Sequence, residues 1–234
     1  PLLTVLGARH QVSAHLPGRW APPGTSITYP PAAHEVHRLL AVVGAAGFPS
    51  QGDDIDLPVR PEDRRRAAVL AGRHGLGTAP IACLHPGARR SANRWPAPRF
   101  GALGDRLAGA GLRVVLTGTA AERPVAREVA ASMDAPSTDL TGATDLGTLA
   151  ALFARASVVV SNDTGAAHVA AATGAPSVVV FAPDGDPDRW APLDRVRHLP
   201  AHAPGRWPTV AEVTAAVDAQ LAGGDARRLD EAGV

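Results

Sequence analysis

From Pro80 onward, short apolar runs alternate with stretches in which apolar residues recur every three or four positions. The runs, rich in Val, Ile and Leu, predict buried strands, and the periodic stretches predict amphipathic helices. The predicted strands cover residues 81–85, 113–117, 138–140, 157–161, 177–181 and 195–199, and the predicted helices cover 98–109, 122–133, 146–155, 164–173 and 210–221. This alternation predicts right-handed βαβ units and a parallel sheet covered by helices on both faces.

The part of the chain before residue 78 follows a different pattern. Residues 1–32 contain a Pro/Gly-rich loop and no element that completes a domain, whereas an apolar helical face begins near His34 and ends by Gly47. We therefore predict a partial N-terminal domain with its linker over 1–77. A complete α/β domain over 78–222 and a frayed tail over 223–234 follow it.

Polar and glycine-rich segments follow the predicted strands repeatedly. They are residues 85–88, 117–122, 162–165 and 182–187. Because the carboxyl ends of parallel strands lie on one rim, where ligands of such sheets bind, these segments predict a nucleotide-type site.

The segment Asp163-Thr164-Gly165 joins the predicted strand 157–161 to the predicted helix 164–173. The amides at a helix N-terminus and the positive end of its dipole favour a phosphate group. Asp or Thr at this position also serves as an ordinary helix cap, so this segment alone leaves both interpretations open.

The composition favours a globular protein that binds small molecules. Hydrophobic residues make up 45% of the chain, and the formal net charge of +1 argues against a general nucleic-acid binder. No apolar run approaches the roughly 20 residues that cross a bilayer, and the start of the sequence lacks a signal-peptide pattern. We expect a cytoplasmic protein with no nucleic-acid partner and at most a peripheral association with membranes.

Cysteine and histidine do not predict a metal site. Cys83 is the single cysteine and lies in an apolar run, so we expect it to be buried in a strand. His34 and His37 lie three residues apart on a predicted helix, but no third ligand accompanies them. All 23 basic residues are arginines, so a phosphate-binding site in this chain would use guanidinium groups.

Several ordered motifs together resemble glycosyltransferase family 9, the family of the ADP-heptose:lipopolysaccharide heptosyltransferases. They are His85-Pro86-Gly87-Ala88, Arg94-Trp95-Pro96, Leu116-Thr117-Gly118 with Glu122, Asp139-Leu140-Thr141-Gly142, Ser161-Asn162-Asp163-Thr164-Gly165 with His168, and Arg189-Trp190-Ala191-Pro192. The resemblance implies the GT-B architecture of two Rossmann-like domains, in which the C-terminal domain holds the nucleotide-sugar donor. For this chain it implies one complete Rossmann-like C-terminal domain and a partial N-terminal domain.

The resemblance also implies roles for individual residues. Asp163, Thr164 and Gly165 would contact the donor diphosphate and sugar, and Glu122 would contact the ribose. His168 would face phosphate, although packing within the helix is the alternative interpretation. The remaining predicted donor-binding residues are Thr117, Gly118, Arg94, Asn93, His85 and Gly87.

Two departures from the family pattern change what we expect. The family often has Lys where this chain has Asn93, so Arg94, Arg90 or Arg89 would have to neutralise the diphosphate. Glu35 is the single acid in residues 1–52, so the carboxylate base expected in an N-terminal domain is absent. The resemblance therefore indicates a truncated or degenerate member whose base belongs to a missing N-terminal region.

The function implied by the resemblance is an inverting sugar transfer from a nucleotide-diphosphate donor, an ADP-heptose-like one, to a glycan or lipid-linked acceptor. Neither a metal nor another cofactor is expected, because a helix N-terminus and arginine can stabilise the leaving diphosphate. A nucleotide-sugar binding module or partner subunit without catalysis is the main alternative. A sugar-nucleotide epimerase is a further one, although the chain offers no convincing acid/base pair for it.

Overall fold

The computed structural model describes residues 10–232, with side chains described through residue 223. The described chain forms two compact units. The first contains the residues up to Asp54 together with Asp188–Trp190, and the second contains Ile55–Pro187 and the residues from Ala191 onward. None of the helices in the described part of the chain is both long and apolar enough to span a bilayer.

The first unit contains two strands, β1 (Val12–His15) and β2 (Thr25–Thr28), and helix α1 (Glu35–Ala45). The two strands pair in parallel, with Val12 opposite Thr25. Neither strand was predicted from the sequence, and residues 1–9 lie outside the described residues. Helix α1 was predicted, and the Nδ1 atom of His34 caps it by accepting from the Val36 amide at 3.2 Å.

A charged cluster lies in this unit around the carboxylate of Glu35. Arg38, whose side chain is 4% exposed, donates to it at 3.0 Å, and Arg189 donates to it at 2.9 Å. Tyr29 donates its hydroxyl proton to the same group, and the Arg38 guanidinium lies 4.2 Å from the Tyr29 ring centroid. Burial raises the pKa of Glu35, but the hydrogen bonds from Tyr29, Arg189 and Arg38 outweigh it and hold that pKa below its usual value.

The second unit is a doubly wound α/β domain, as predicted. Its strands are β3 (Ile81–His85), β4 (Arg113–Leu116), β5 (Ser137–Asp139), β6 (Val158–Asn162), β7 (Ser177–Val180) and β8 (His198–Ala201). They form one six-stranded sheet in the order β5-β4-β3-β6-β7-β8, and every neighbouring pair is parallel. The order reverses between β3 and β6, which makes their carboxyl ends the topological switch point of the sheet.

The helices of this unit alternate with its strands. They are α2 (Pro61–Arg73), α3 (Ala97–Gly109), α4 (Arg123–Ala131), α5 (Leu146–Ala154), α6 (Gly165–Ala172), the short α7 (Pro187–Trp190), whose last three residues belong to the first unit, and α8 (Val210–Ala232). Alternate strand residues face opposite layers, so Leu84 packs in one apolar cluster and Cys83 packs in the other. The predicted burial of Cys83 is confirmed, and burial raises the pKa of its thiol to about 12.

Several predicted boundaries need correction. Helix α2 lies in the second unit, because it packs against α5, so the change of unit falls at residue 55 and not at residue 78. Helix α8 continues through Ala232, beyond the predicted helix end at residue 221. The segment expected to begin a helix at Glu122 first forms a short 3-10 turn (Ala120–Glu122), with Pro124 then in the first turn of α4.

Candidate functional site

A cavity of about 520 Å³ lies in the second unit, on the rim where β3 and β6 end. Its volume falls within the range of roughly 300–1,000 Å³ that is usual for small-ligand sites. Six of the predicted donor-binding residues line it: His85, Asn93, Glu122, Asp163, Thr164 and Gly165. Three of the four polar segments predicted to form the site, 85–88, 117–122 and 162–165, contribute lining residues, whereas 182–187 contributes none.

One wall of the cavity is the N-terminus of α6. Thr164 is the N-cap residue in extended conformation, but its side chain makes no capping hydrogen bond. Its Oγ1 atom is buried and has no hydrogen-bond partner in the described part of the chain. Because the first amides of a helix also lack intrahelical partners, this wall presents several unused donors to a ligand.

Asp163 precedes this helix end and also lines the cavity. Burial raises the pKa of its carboxyl, because these surroundings disfavour the charged form. A carboxylate in this position is suited to accept hydrogen bonds from hydroxyl groups of a ligand.

The loop after β3 also lines the cavity. Arg89 and Arg90 line the cavity beside Asn93 and are exposed to solvent. Arg94 is not among the lining residues, since its Nε atom donates to the Ala88 carbonyl oxygen at 2.9 Å. The arginines that face the cavity are thus Arg89 and Arg90, and Arg94 instead holds the loop that carries them.

Glu122 and His85 form a third wall. The Oε2 atom of Glu122 accepts from the amide and the hydroxyl of Thr119, at 2.7 and 2.9 Å. A Cβ atom at Gly87 would lie 2.1 Å from Oε1 of Glu122, so any larger residue here would displace that carboxylate. Gly87 therefore does not line the cavity but leaves room for the Glu122 carboxylate that does.

The other predicted residues lie behind the cavity or beside it. Thr117 is buried and contacts His85, and Gly118 lies against Glu122. His168 is half-buried on α6 and is not among the lining residues, so its assignment to phosphate stays a prediction.

Two further features of this site were missed by reasoning from the sequence. The side chain of Asn162 is fully buried and joins three backbone groups: it accepts from the Trp95 amide at 2.8 Å and donates to the carbonyl oxygens of Pro86 at 2.9 Å and Gly87 at 3.3 Å. This residue ties the loop after β3 to the end of β6. An apolar strip of Leu146, Leu149 and Val169 lines the remaining side of the cavity and offers a surface for a flat or apolar ligand group.

Within the described residues, no group of three or more His, Cys, Asp or Glu side chains lies close enough to hold a metal ion. The site thus offers a helix N-terminus, two arginines, two carboxylates and an imidazole around one space. This combination suits a ligand that carries both phosphate and hydroxyl groups.

Comparison with known proteins gives consistent matches. The family model of glycosyltransferase family 9 (heptosyltransferase) matches residues 9–205. Lipooligosaccharide heptosyltransferase 2 of Haemophilus influenzae is 34% identical over 113 residues, which cover 46% of this chain and 33% of that protein. The matched part therefore spans about a third of the length of this relative.

Solved structures match over more of the chain. The glycosyl transferase family 9 from Veillonella parvula has a TM-score of 0.77 at 19% identity, over 90% of this chain and 67% of that one. The Escherichia coli ADP-heptose LPS heptosyltransferase II has a TM-score of 0.65 at 26% identity, over 77% of this chain and 57% of that one.

Proposed function

This chain belongs to glycosyltransferase family 9, and on that basis we propose that its cavity binds the nucleoside diphosphate of a nucleotide-sugar donor. The name of the matched E. coli enzyme makes an ADP-heptose-like sugar the first donor to test. The proposed acceptor is a glycan or a lipid-linked acceptor, and the proposed transfer inverts the anomeric centre. The observation that carries the proposal is the buried, unpartnered Thr164 hydroxyl at a helix N-terminus on the switch-point rim.

The proposed roles follow from where the charges lie. The diphosphate binds against the first amides of α6 and the Thr164 hydroxyl, with Arg89 and Arg90 opposite. Negative charge grows on the leaving diphosphate in the transition state, so donors fixed in advance around it lower the barrier. Asp163 accepts hydrogen bonds from the sugar hydroxyls, and Glu122 binds the ribose.

We also propose that the leaving group needs no metal ion, because the helix end and the guanidinium groups supply the positive charge. Transfer by the full-length protein should then survive chelation of divalent cations by EDTA. Loss of activity on chelation, restored by one added cation, would contradict this part of the proposal.

The base that activates the acceptor is proposed to lie in the part of the relatives' length that this chain does not match. Glu35 does not suit that role, because three donors engage its carboxylate and hold its pKa below the usual value.

The test is a calorimetric titration of the chain with ADP and with an ADP-sugar. The wild-type chain should bind both, and Asp163→Ala should lose affinity for the ADP-sugar while keeping its affinity for ADP. Equal losses for the two ligands would contradict the role of Asp163. No heat with either ligand at millimolar concentration would contradict the proposed function.

A glycine pair gives a matched steric control. A Cβ atom at Gly165 would meet nothing within 4 Å, and Gly165 lines the cavity, so Gly165→Ala places a methyl group where the diphosphate would bind. We expect about a tenfold loss of ADP affinity, at the low end of the roughly 1–3 kcal/mol cost of a steric intrusion. Gly72→Ala also adds its Cβ to open space, but on α2, and should bind ADP like the wild type.

A further inference from the structure

The contacts of His85 favour one tautomer of its neutral ring, which we assign from the hydrogen-bond network. Its Nδ1 atom lies 3.1 Å from the Thr117 hydroxyl oxygen, which lies 3.3 Å from the carbonyl oxygen of Leu84. A carbonyl oxygen can only accept, so the Thr117 hydroxyl donates to Leu84 and accepts from Nδ1–H of His85. The neutral ring then carries its proton on Nδ1 and presents Nε2 as an acceptor.

Nε2 lies beside the carboxylate of Glu122, at 3.9 Å from Oε2. Both side chains are largely buried, since His85 is 10% exposed and Glu122 is 15% exposed. With a neutral imidazole, two acceptors lie side by side on the wall of the cavity. Adjacent acceptors of this kind suit two adjacent hydroxyl groups, each of which donates one proton.

Protonation of His85 changes this wall. The imidazolium has no acceptor, because Nε2 then carries a proton and is a donor. It attracts the Glu122 carboxylate, so neither group is left to accept from a ligand hydroxyl. Burial lowers the pKa of His85, and the negative charge of Glu122 opposes that effect. The wall is therefore in its accepting state at neutral pH and changes on acidification.

The surroundings identify the groups that take part. The elements that pack on the ring contribute the neutral Thr117 from the end of β4 and the neutral Ser161, the strand partner of His85 on β6. Glu122 is the charged group that acts on the ring. Arg89, Arg90 and Asp163 are the other charged groups that line this cavity.

We propose that His85, through its neutral Nδ1-protonated form, binds one hydroxyl of the donor's ribose beside Glu122, and that its protonated form closes this subsite by pairing with Glu122. This inference rests on the proposed function, since it assigns a nucleoside diphosphate to the cavity. It adds a second acceptor to the ribose subsite and makes hydroxyl recognition dependent on pH.

The test compares the wild-type chain with His85→Gln in titrations with ADP and with 2′,3′-dideoxy-ADP between pH 5 and pH 8. Comparing the two proteins at each pH cancels the titration of the ligand's own phosphate. As the pH falls through the pKa of His85, ADP affinity of the wild type should fall relative to the variant, by at most about tenfold per pH unit. Dideoxy-ADP, which lacks both hydroxyls, should bind the two proteins in the same ratio at every pH.

A matched control and a direct readout accompany this comparison. His74→Gln replaces an exposed histidine at the C-terminus of α2 and should follow the wild-type profile. In the wild-type chain, nitrogen chemical shifts of the neutral His85 ring should show the proton on Nδ1. This measurement needs no variant, so it stands even if His85→Gln fails to fold.

The outcomes separate the two proposals. A proton on Nε2 in the neutral ring, or identical ADP profiles for the wild type and His85→Gln, would overturn the role of His85 while leaving the nucleotide site in place. No binding of either nucleotide at any pH would overturn the proposed function and this inference with it.

Discussion

Replacing Asn162 by alanine tests how the cavity is held together. The Asn162 side chain is fully buried and makes three hydrogen bonds, to the Trp95 amide and to the carbonyl oxygens of Pro86 and Gly87. Alanine removes all three and leaves the Trp95 amide, in a residue that is 1% exposed, without this partner. The loop between Pro86 and Trp95 carries the arginines of the cavity, so both stability and binding should change.

The size of the effect follows from the groups left behind. A buried amide without a partner costs about 1–3 kcal/mol, and loss of the shorter carbonyl contact adds about 1 kcal/mol. The bond to Gly87 is longer, at 3.3 Å, and should add little. We expect a loss of about 3 kcal/mol in the free energy of unfolding, which for a chain of this length lowers Tm by roughly 6–12 °C.

The matched variant Asn162→Asp keeps the acceptor for Trp95 and places a carboxylate oxygen where the amide donated. At neutral pH this buried charge faces carbonyl oxygens, so the variant should also be destabilised. Burial should raise the pKa of the new carboxyl in the folded state. Protonation of this carboxyl therefore stabilises the folded variant. That stabilisation is fully present below the unfolded pKa of about 3.9 and is lost as the pH rises through the folded pKa.

Thermal and urea unfolding at several pH values measure these differences. The gap in stability between wild type and Asn162→Asp should narrow as the pH is lowered from 7 towards 4. Calorimetry with ADP should show weaker binding by both variants at neutral pH. Wild-type stability of Asn162→Ala, or a gap for Asn162→Asp that widens in acid, would refute the proposed role of these hydrogen bonds.

Three further predictions concern the cavity of the second unit and the charged cluster around Glu35 in the first unit. Asp163→Asn should raise Tm at pH 7, because burial raises the pKa of Asp163, and the gain should disappear below the unfolded pKa of about 3.9. Glu35→Ala should lower the free energy of unfolding by about 2 kcal/mol in urea titrations, because it leaves the buried Arg38 guanidinium without its carboxylate. Gly87→Ala should cost about 1 kcal/mol of stability, because displacing the Glu122 carboxylate breaks its hydrogen bonds from the Thr119 amide and hydroxyl. The same displacement should weaken ADP binding about tenfold.

Each of these has its own control. A gain from Asp163→Asn that persists at pH 3 would show that burial of charge is not its cause. Asp218→Ala breaks an exposed ion pair with Arg106 and should leave stability nearly unchanged, so an equal loss would contradict the argument for Glu35. Gly109→Ala adds its Cβ to open space and should not weaken ADP binding, in contrast to Gly87→Ala.

The sheet of the second unit could be predicted from the sequence because its strands are buried on both faces. Runs such as Ile81–His85 and Ser177–Val180 are apolar enough to stand out, and turn residues separate them from the helices. The carboxyl-end segments could also be identified, since strand direction in a parallel sheet places them on one rim. That rule and the family resemblance together predicted four residues that do line the cavity: Asp163, Thr164, Gly165 and Glu122.

Other elements carry too little signal in the sequence. The strands Val12–His15 and Thr25–Thr28 are short and half-buried or exposed, so neither alternation nor an apolar run marks them. Strand β8 (His198–Ala201) contains Pro200. In a sequence, proline indicates the end of a strand, although a strand at the edge of a sheet tolerates it. The expected strand over 195–199 was accordingly displaced toward the N-terminus.

The contacts that shape the cavity join residues far apart in the chain. The Asn162 side chain contacts Trp95 and Pro86, which are 67 and 76 positions away. A local contact likewise decides which arginines face the cavity. Arg94 donates to the Ala88 carbonyl oxygen, whereas Arg89 and Arg90 line the cavity. Such choices depend on the folded backbone, and residue type alone does not determine them.

A crystal structure of the chain grown with saturating ADP tests the central claim most directly. The account predicts the diphosphate at residues 163–166, against the N-terminus of α6, and the ribose hydroxyls beside Glu122 and His85. Density for ADP at another place on the molecule, or a cavity without nucleotide at saturating ADP, would contradict it.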